Sequence, residues 1–357
     1  MTETMKAAVM TAVKKVEVLD VPMPTIGPRD VLLKIRSAGL CTWEQRIYTG
    51  QAKADYPFLG GHENAGEIAA IGDLVTNVKV GDRVTMGSSS CGTCRACLRG
   101  EDKGCAEHFL NFSLKGGHFG PGGFAQFKVH RSDGVFPVGD ADWNQAALAE
   151  PLSCAIHAAR LLDVKLGDTA VVFGAGTMGL MNLIVLKKSG LRVAVVDVNE
   201  GRLEKARSLG ADLVFRSDDN IRNSIKDAFL GGVDFTITAH GSDAVNQDAL
   251  DVLNNRGKIC LFASAHPVTP FAIDPNVMHN KETSAVGVVS ADRRDHAVAT
   301  EMIRYKQVDL SPLVDKAFSI EESAQAFHTA TSRSEEHTSE LQSHSDLVCR
   351  LLLEKKK

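Results

Sequence analysis

The chain is 357 residues long and lacks several features that would each assign it to a different class of protein. No stretch approaches the ~18 consecutive apolar residues of a membrane-spanning helix, so no membrane partner is expected. Positive charge is not in excess: 40 Lys and Arg stand against 44 Asp and Glu, a formal net charge of -4, and the electrostatic footprint of a nucleic-acid or anionic-membrane binder is missing. The first residues, Met1-Thr2-Glu3-Thr4-Met5-Lys6, contain no apolar signal-peptide core, which makes a cytoplasmic location the expectation. There is no internal repeat, and no low-complexity segment before Ser332. A prior of about 150 residues per domain then suggests two globular domains.

Cysteine, by contrast, is well represented. Four of the eight, Cys91, Cys94, Cys97 and Cys105, fall in one short loop as C-x2-C-x2-C-x7-C. Disulfides between such close neighbours would close very small loops, whereas four thiolates around zinc need only one winding segment. A nucleic-acid zinc ribbon and a redox switch are the other readings, and the surrounding loop is not basic enough to favour the first. Upstream, Leu59-Gly60-Gly61-His62-Glu63-Asn64-Ala65-Gly66 places an imidazole and a carboxylate side by side between glycines. That gives a metal a nitrogen ligand with an oxygen ligand or supporting partner beside it. Taken alone, a His-Glu pair is also common in ordinary polar loops.

The pattern changes along the chain. Residues 6 to about 36 alternate apolar and polar positions, with Val31-Leu32-Leu33-Lys34-Ile35 as a strand, and begin a β-rich region. Around Glu150 and Pro151 the apolar spacing becomes helical, and from Gly167 strands alternate with helices, which argues for a parallel sheet covered on both faces. Thr169-Ala170-Val171-Val172-Phe173 runs into Gly174-Ala175-Gly176-Thr177-Met178-Gly179 and a helix, followed by a strand that ends on Asp197. Glycines there let the backbone approach a pyrophosphate at the helix N-terminus, and the acid accepts hydrogen bonds from ribose hydroxyls. A carboxylate at Asp197 would repel a 2′-phosphate, which favours NAD over NADP. Arg202 lies either over the adenine or towards solvent.

Gly61-His62-Glu63, Gly66, Gly72 and Val75 reproduce the spacing of a zinc signature, and from about Met5 to Ser332 the chain resembles the zinc-dependent medium-chain alcohol dehydrogenases. Within that family it looks most like the sorbitol (polyol) dehydrogenase branch. The resemblance implies an α/β, two-domain fold: a β-rich GroES-like catalytic domain over residues 1–152, completed by 291–332, and a Rossmann domain with a doubly wound parallel sheet over 153–290. It implies two zinc ions per chain, a structural one on Cys91, Cys94, Cys97 and Cys105 and a catalytic one on Cys41, His62 and Glu150, with Glu63 as an exchangeable or supporting carboxylate. Without the resemblance, Cys41 reads as a small buried hydrophobe and Glu150 as a favourable charge at a helix N-terminus. Gly174, Gly176, Thr177, Met178, Gly179, Asp197 and Arg202 would hold NAD. The implied reaction moves a hydride between NAD and a polyol, sugar or other secondary alcohol, with zinc as Lewis acid. Relatives are commonly homodimers or homotetramers.

Two departures stand out. The family usually continues its cysteine with Gly, Ser or Thr, and Asp, the hydroxyl relaying the alcohol proton, but this chain has Cys41-Thr42-Trp43-Glu44. Trp43 offers only an N–H donor, so the relay is rebuilt or bypassed, and Glu44 stands at the Asp position. A cofactor- and zinc-binding protein with little activity, or a zinc-free quinone or enoyl reductase of the same superfamily, are the competing functions; the latter lack the Cys, His and Glu set. The second departure is the tail from Arg333 to Lys357, which resembles the translation of a sequencing-library adapter running into an A-rich end. Its composition alone suits a charged helix. On the adapter reading, Cys349 and the tail histidines receive no functional weight, and the short apolar strand that ends the relatives is expected to be missing.

Overall fold

The structure is a computed structural model that describes residues 4–107, 119–265, 268, 270–335 and 349–352. Chain contacts divide it into two compact units, Met1–Ser153 with Ala291–Lys357, and Cys154–Ser290.

The first unit opens with an antiparallel pair, β1 (Thr4–Ala12) and β2 (Lys15–Pro22). Next comes β3 (Asp30–Gly39), whose buried positions alternate through Val31, Leu33 and Ile35, as its apolar-polar pattern dictates. It is the organising strand, pairing antiparallel with β4 (Asn64–Ile71) along most of its length. β5 (Arg83–Met86) continues outward from β4. β6 (Phe127–Arg131) pairs with the first half of β3, and β7 (Val135–Pro137) with β5. Phe58, Phe124, Ile47, Leu59 and Ile68 fill the core beneath this sheet. Phe327, from the C-terminal return of the chain, seals it, with ring centroids 5.8 Å from Phe124 and 5.1 Å from Tyr48.

The second unit is a six-stranded parallel sheet. Its strands are β8 (Thr169–Phe173), β9 (Arg192–Asp197), β10 (Leu213–Arg216), β11 (Val233–Thr238), β12 (Leu253–Leu261) and β13 (Ser284–Gly287). Their spatial order is β10-β9-β8-β11-β12-β13. Counted from β8 as the first strand this is 3-2-1-4-5-6, the doubly wound order of a dinucleotide-binding Rossmann sheet, which reverses between the first and fourth strands. Ala170, Val171, Val172, Val193, Ala194, Val195 and Ile237 are fully buried. That is why these strands read as continuous apolar runs rather than alternating ones.

The chain returns to the first unit through the helix Arg293–Arg304, then β14 (Lys316–Ser319) and the helix Ser323–Glu335. Here one expectation is corrected. Instead of ending without a terminal strand, the chain places β15 (Cys349–Leu352) between β14 and β3, parallel to the first and antiparallel to the second. β6 leaves the second half of β3 unpaired on that side, and Cys-Arg-Leu-Leu satisfies its backbone groups through Ser37, Ala38 and Gly39. Residues 336–348 and 353–357 of the tail lie outside the described residues.

Candidate active site

The β3–β4 register builds the site. Ala38 pairs with Asn64, and the Gly39 N–H donates to the Glu63 carbonyl at 2.7 Å, so the end of β3 and the beginning of β4 lie side by side. Cys41, just past β3, caps the helix Thr42–Thr49, while His62 and Glu63 immediately precede β4. Donor atoms of Cys41, His62 and Glu63 all come within 4.8 Å of one another. Gly39 is required there, because a Cβ at that position would lie 1.9 Å from Glu63 Oε2.

Glu44, in the first turn of the same helix, is completely enclosed. Its Oε1 accepts from the Gly61 N–H at 3.0 Å and lies 2.7 Å from His62 Nδ1. A carboxylate at Nδ1 fixes the Nδ1–H tautomer and leaves the Nε2 lone pair for a metal. Burial pushes the Cys41 thiol up to about 12, only partly opposed by His62. Burial acts to lower the His62 pKa, but the Glu44 carboxylate and Cys41 outweigh it and hold the imidazole well above its ordinary value. A sulfur, an imidazole nitrogen and a carboxylate, with the imidazole already oriented from behind, form a donor set that fits zinc, whose charge also favours the thiolate.

Trp43 is 43% exposed and meets both His62 and Phe58 edge-on, at ring-centroid distances of 5.7 and 5.6 Å. It contributes an apolar wall beside the His62 imidazole. Glu150 lies in the first turn of the helix Ala149–Leu162 and is not part of the group drawn together around Cys41.

The four-cysteine loop is compact. Sγ atoms of Cys91, Cys94, Cys97 and Cys105 all lie within 4.8 Å of one another, with 3.8 Å between Cys91 and Cys97 and 3.4 Å between Cys94 and Cys97. A tetrahedron with zinc–sulfur bonds of about 2.3 Å has edges of about 3.8 Å, whereas a disulfide requires about 2.05 Å. Backbone N–H groups of Cys91 and Cys94 point at the sulfurs of Cys105 and Cys91, at 3.4 and 3.3 Å. Hydrogen bonds from the Thr93 backbone and hydroxyl and the Cys94 N–H lower the Cys91 thiol to about 6. Cys91 is therefore prepared to act as a thiolate, and the spacing of the four sulfurs fits a closed zinc site.

In the second unit, Gly174 turns out of β8 at φ 101°, and the helix Thr177–Lys188 starts from Gly176 with no side chain capping it. Gly179 packs the helix against the turn: a Cβ there would lie 1.8 Å from the Gly174 carbonyl oxygen. Thr177 and Met178 form the first turn. Asp197, at the end of β9, accepts from the N–H groups of Ala175 and Asn199 at 2.7 and 2.9 Å, and Arg202 Nη1 stands 3.8 Å from it. Arg202 thus lies against the acid, with its side chain only 22% exposed, rather than projecting into solvent. The geometry suits a ribose and pyrophosphate.

Sequence reasoning placed Glu44 near the site without finding its partner, and it missed Lys128 and Asn64, which are buried behind it. A lysine in period-two phase with the buried Phe124 was the available signal.

One unit thus carries a parallel sheet in the dinucleotide-binding order, and the other carries two groups of side chains that could hold a metal, Cys41 with His62 and Glu63, and the four cysteines. The sequence matches the family models described as "Alcohol dehydrogenase GroES-like domain" over residues 27–140 and "Zinc-binding dehydrogenase" over residues 177–304. The chain belongs to the zinc-binding medium-chain alcohol dehydrogenase family, a family of oxidoreductases, and combines its GroES-like and Rossmann domains. It is 33% identical over 324 residues to L-threonine 3-dehydrogenase of Rhizobium etli, covering 88% of this chain and 91% of that enzyme. It is also 34% identical over 269 residues to sorbitol dehydrogenase of Bacillus subtilis, covering 72% and 75%. An alcohol dehydrogenase zinc-binding domain protein from Burkholderia ambifaria shares the fold, with a TM-score of 0.88 at 22% identity over 99% of this chain and 100% of that one. Among the described residues, no helix is long and apolar enough to cross a membrane.

Proposed function

We propose that the protein is a zinc-dependent, NAD-linked dehydrogenase of a secondary alcohol that carries a second polar group on the adjacent carbon. The observation that supports this best is the convergence of Cys41, His62 and Glu63 at the β3–β4 junction, with Glu44 behind the imidazole. A polyol or sugar and a hydroxy amino acid such as L-threonine both meet the description, and the relatives include enzymes for each. When bound, zinc supplies Lewis acidity toward an alcohol oxygen, and NAD supplies the hydride acceptor.

The chain's own groups do the rest. Glu44 holds the proton at His62 Nδ1, and because it is fully enclosed its part is orientation rather than carriage of the substrate proton. Trp43 replaces a hydroxyl with an apolar face, so the alcohol proton leaves to water. Asp197 favours NAD by its charge. Glu150 is the carboxylate that completes or exchanges in the ligand set when the metal is present. Cys91, Cys94, Cys97 and Cys105 hold the second zinc.

Zinc analysis combined with NAD reduction across sorbitol, xylitol, L-threonine and simple secondary alcohols tests the reading. Two zinc ions per chain are expected, and mild chelation removes activity before it unfolds the protein, since a closed four-thiolate site exchanges more slowly than an open one. A single zinc per chain, or two with no NAD reduction on any member of the panel, would overturn it.

A further inference from the structure

Behind the ligand cluster the structure buries a cation that the reading above does not use. Lys128 lies on β6 opposite Leu33, which is fully buried, and its side chain shares that face of the sheet. It is only 7% exposed. Its Nζ donates to Asn64 Oδ1 at 3.4 Å, and Asn64 is the first residue of β4, one place beyond Glu63. Burial pushes the ammonium down to about 8, while the Glu44 carboxylate works the other way and favours the charged form. Two polar atoms in this pocket, Glu44 Oε2 and Asn64 Nδ2, are buried without a hydrogen-bond partner. Lys128 has three N–H donors and the Asn64 bond uses one of them.

The charges of the pocket explain a buried lysine. With a metal holding Cys41 as its thiolate, that sulfur and the buried Glu63 and Glu44 carboxylates would bring three negative charges together. A divalent metal neutralises two of them. One negative charge is left over, and an isolated buried charge is costly.

We propose that Lys128 is the counter-charge of the metal pocket: its ammonium, anchored on Asn64, balances the Glu44 carboxylate behind His62 and thereby limits how tightly the pocket holds a divalent cation. Lys128 is a positioning residue, since it touches neither metal nor substrate. The inference rests on the zinc reading proposed above. It has an unusual sign. Removing a residue that merely packs beside a metal site loosens the metal, whereas removing this positive charge tightens it.

The test is competition for the labile zinc between the full-length protein and a fluorescent chelator, with zinc alone as the probe. Lys128→Met is expected to bind that zinc on the order of ten-fold more tightly than the wild type, the scale of one charge acting across a partly screened interior. Lys128→Arg, which keeps the charge, stays within about two-fold, and Lys128→Met combined with Glu44→Gln, which removes both charges together, returns towards the wild-type value. Weaker or unchanged zinc binding in Lys128→Met, with the four-cysteine zinc retained and the melting transition intact, overturns the inference. Lys128→Gln takes its place with the same expectations if the methionine variant does not fold. A wild-type protein that binds only one zinc overturns the functional reading instead, and that failure is visible before any variant is made.

Discussion

The Glu44–His62 contact is the most exposed to experiment. In Glu44→Ala the Gly61 N–H and His62 Nδ1 lose the acceptor they share, in a place that water does not reach. Each buried group left unpaired costs about 1–3 kcal/mol, so the loss of fold stability is about 2–6 kcal/mol. The effect on metal is separate. Without the carboxylate the imidazole is free to rotate and to place its proton on either nitrogen, and loss of such a supporting partner typically weakens metal affinity by about 10- to 100-fold. Urea denaturation of the metal-free protein reads the first quantity, and chelator competition on the folded variant reads the second. Glu44→Gln separates them, because its amide oxygen still accepts from Gly61 while the negative charge is gone. It is expected to recover most of the stability and only part of the zinc affinity. If Glu44→Ala folds and binds both zinc ions as tightly as the wild type, the carboxylate does not orient His62 and the reasoning fails.

Three other outcomes are expected. Asp197→Ala weakens NAD binding by about 1–3 kcal/mol and erodes the preference over NADP, measured by fluorescence titration with both nucleotides; an unchanged ratio makes Asp197 a bystander. Trp43→Ser leaves zinc content intact and shifts mainly the pH profile and the preference among alcohols, so loss of zinc in that variant would mean that Trp43 packs the metal site. His296 is buried with Nε2 unpartnered, and burial lowers its pKa to about 3. Because its folded value lies below its unfolded value of about 6.5, its contribution to stability is present above about 6.5 and is lost as pH falls towards 3, at up to roughly 1.4 kcal/mol per pH unit. Urea titrations at pH 7 and 4.5 should show this slope flattened in His296→Phe, and an unchanged slope would assign the acid sensitivity elsewhere.

What the sequence determined by itself is what depends on near neighbours. The cysteine spacing brings four sulfurs together because one short loop can wind around a point, and the strand-turn-helix at Gly174 to Gly179 places its glycines wherever the rest of the chain goes. Continuous apolar strands announced the parallel sheet because both of its faces are covered. The tertiary structure decided everything that crosses between strands. Glu44 and His62 are 18 residues apart and Lys128 lies 64 residues beyond Asn64; they meet only because β3 pairs with β4 on one side and β6 on the other. Read along the chain, Glu44 is only the residue that stands at the family's Asp position, and its complete enclosure against His62 is visible only in the folded chain. The terminal strand depended on the same kind of information: the second half of β3 left an unpaired edge, and backbone hydrogen bonding accepts any short extended segment that reaches it, whatever its sequence was expected to do.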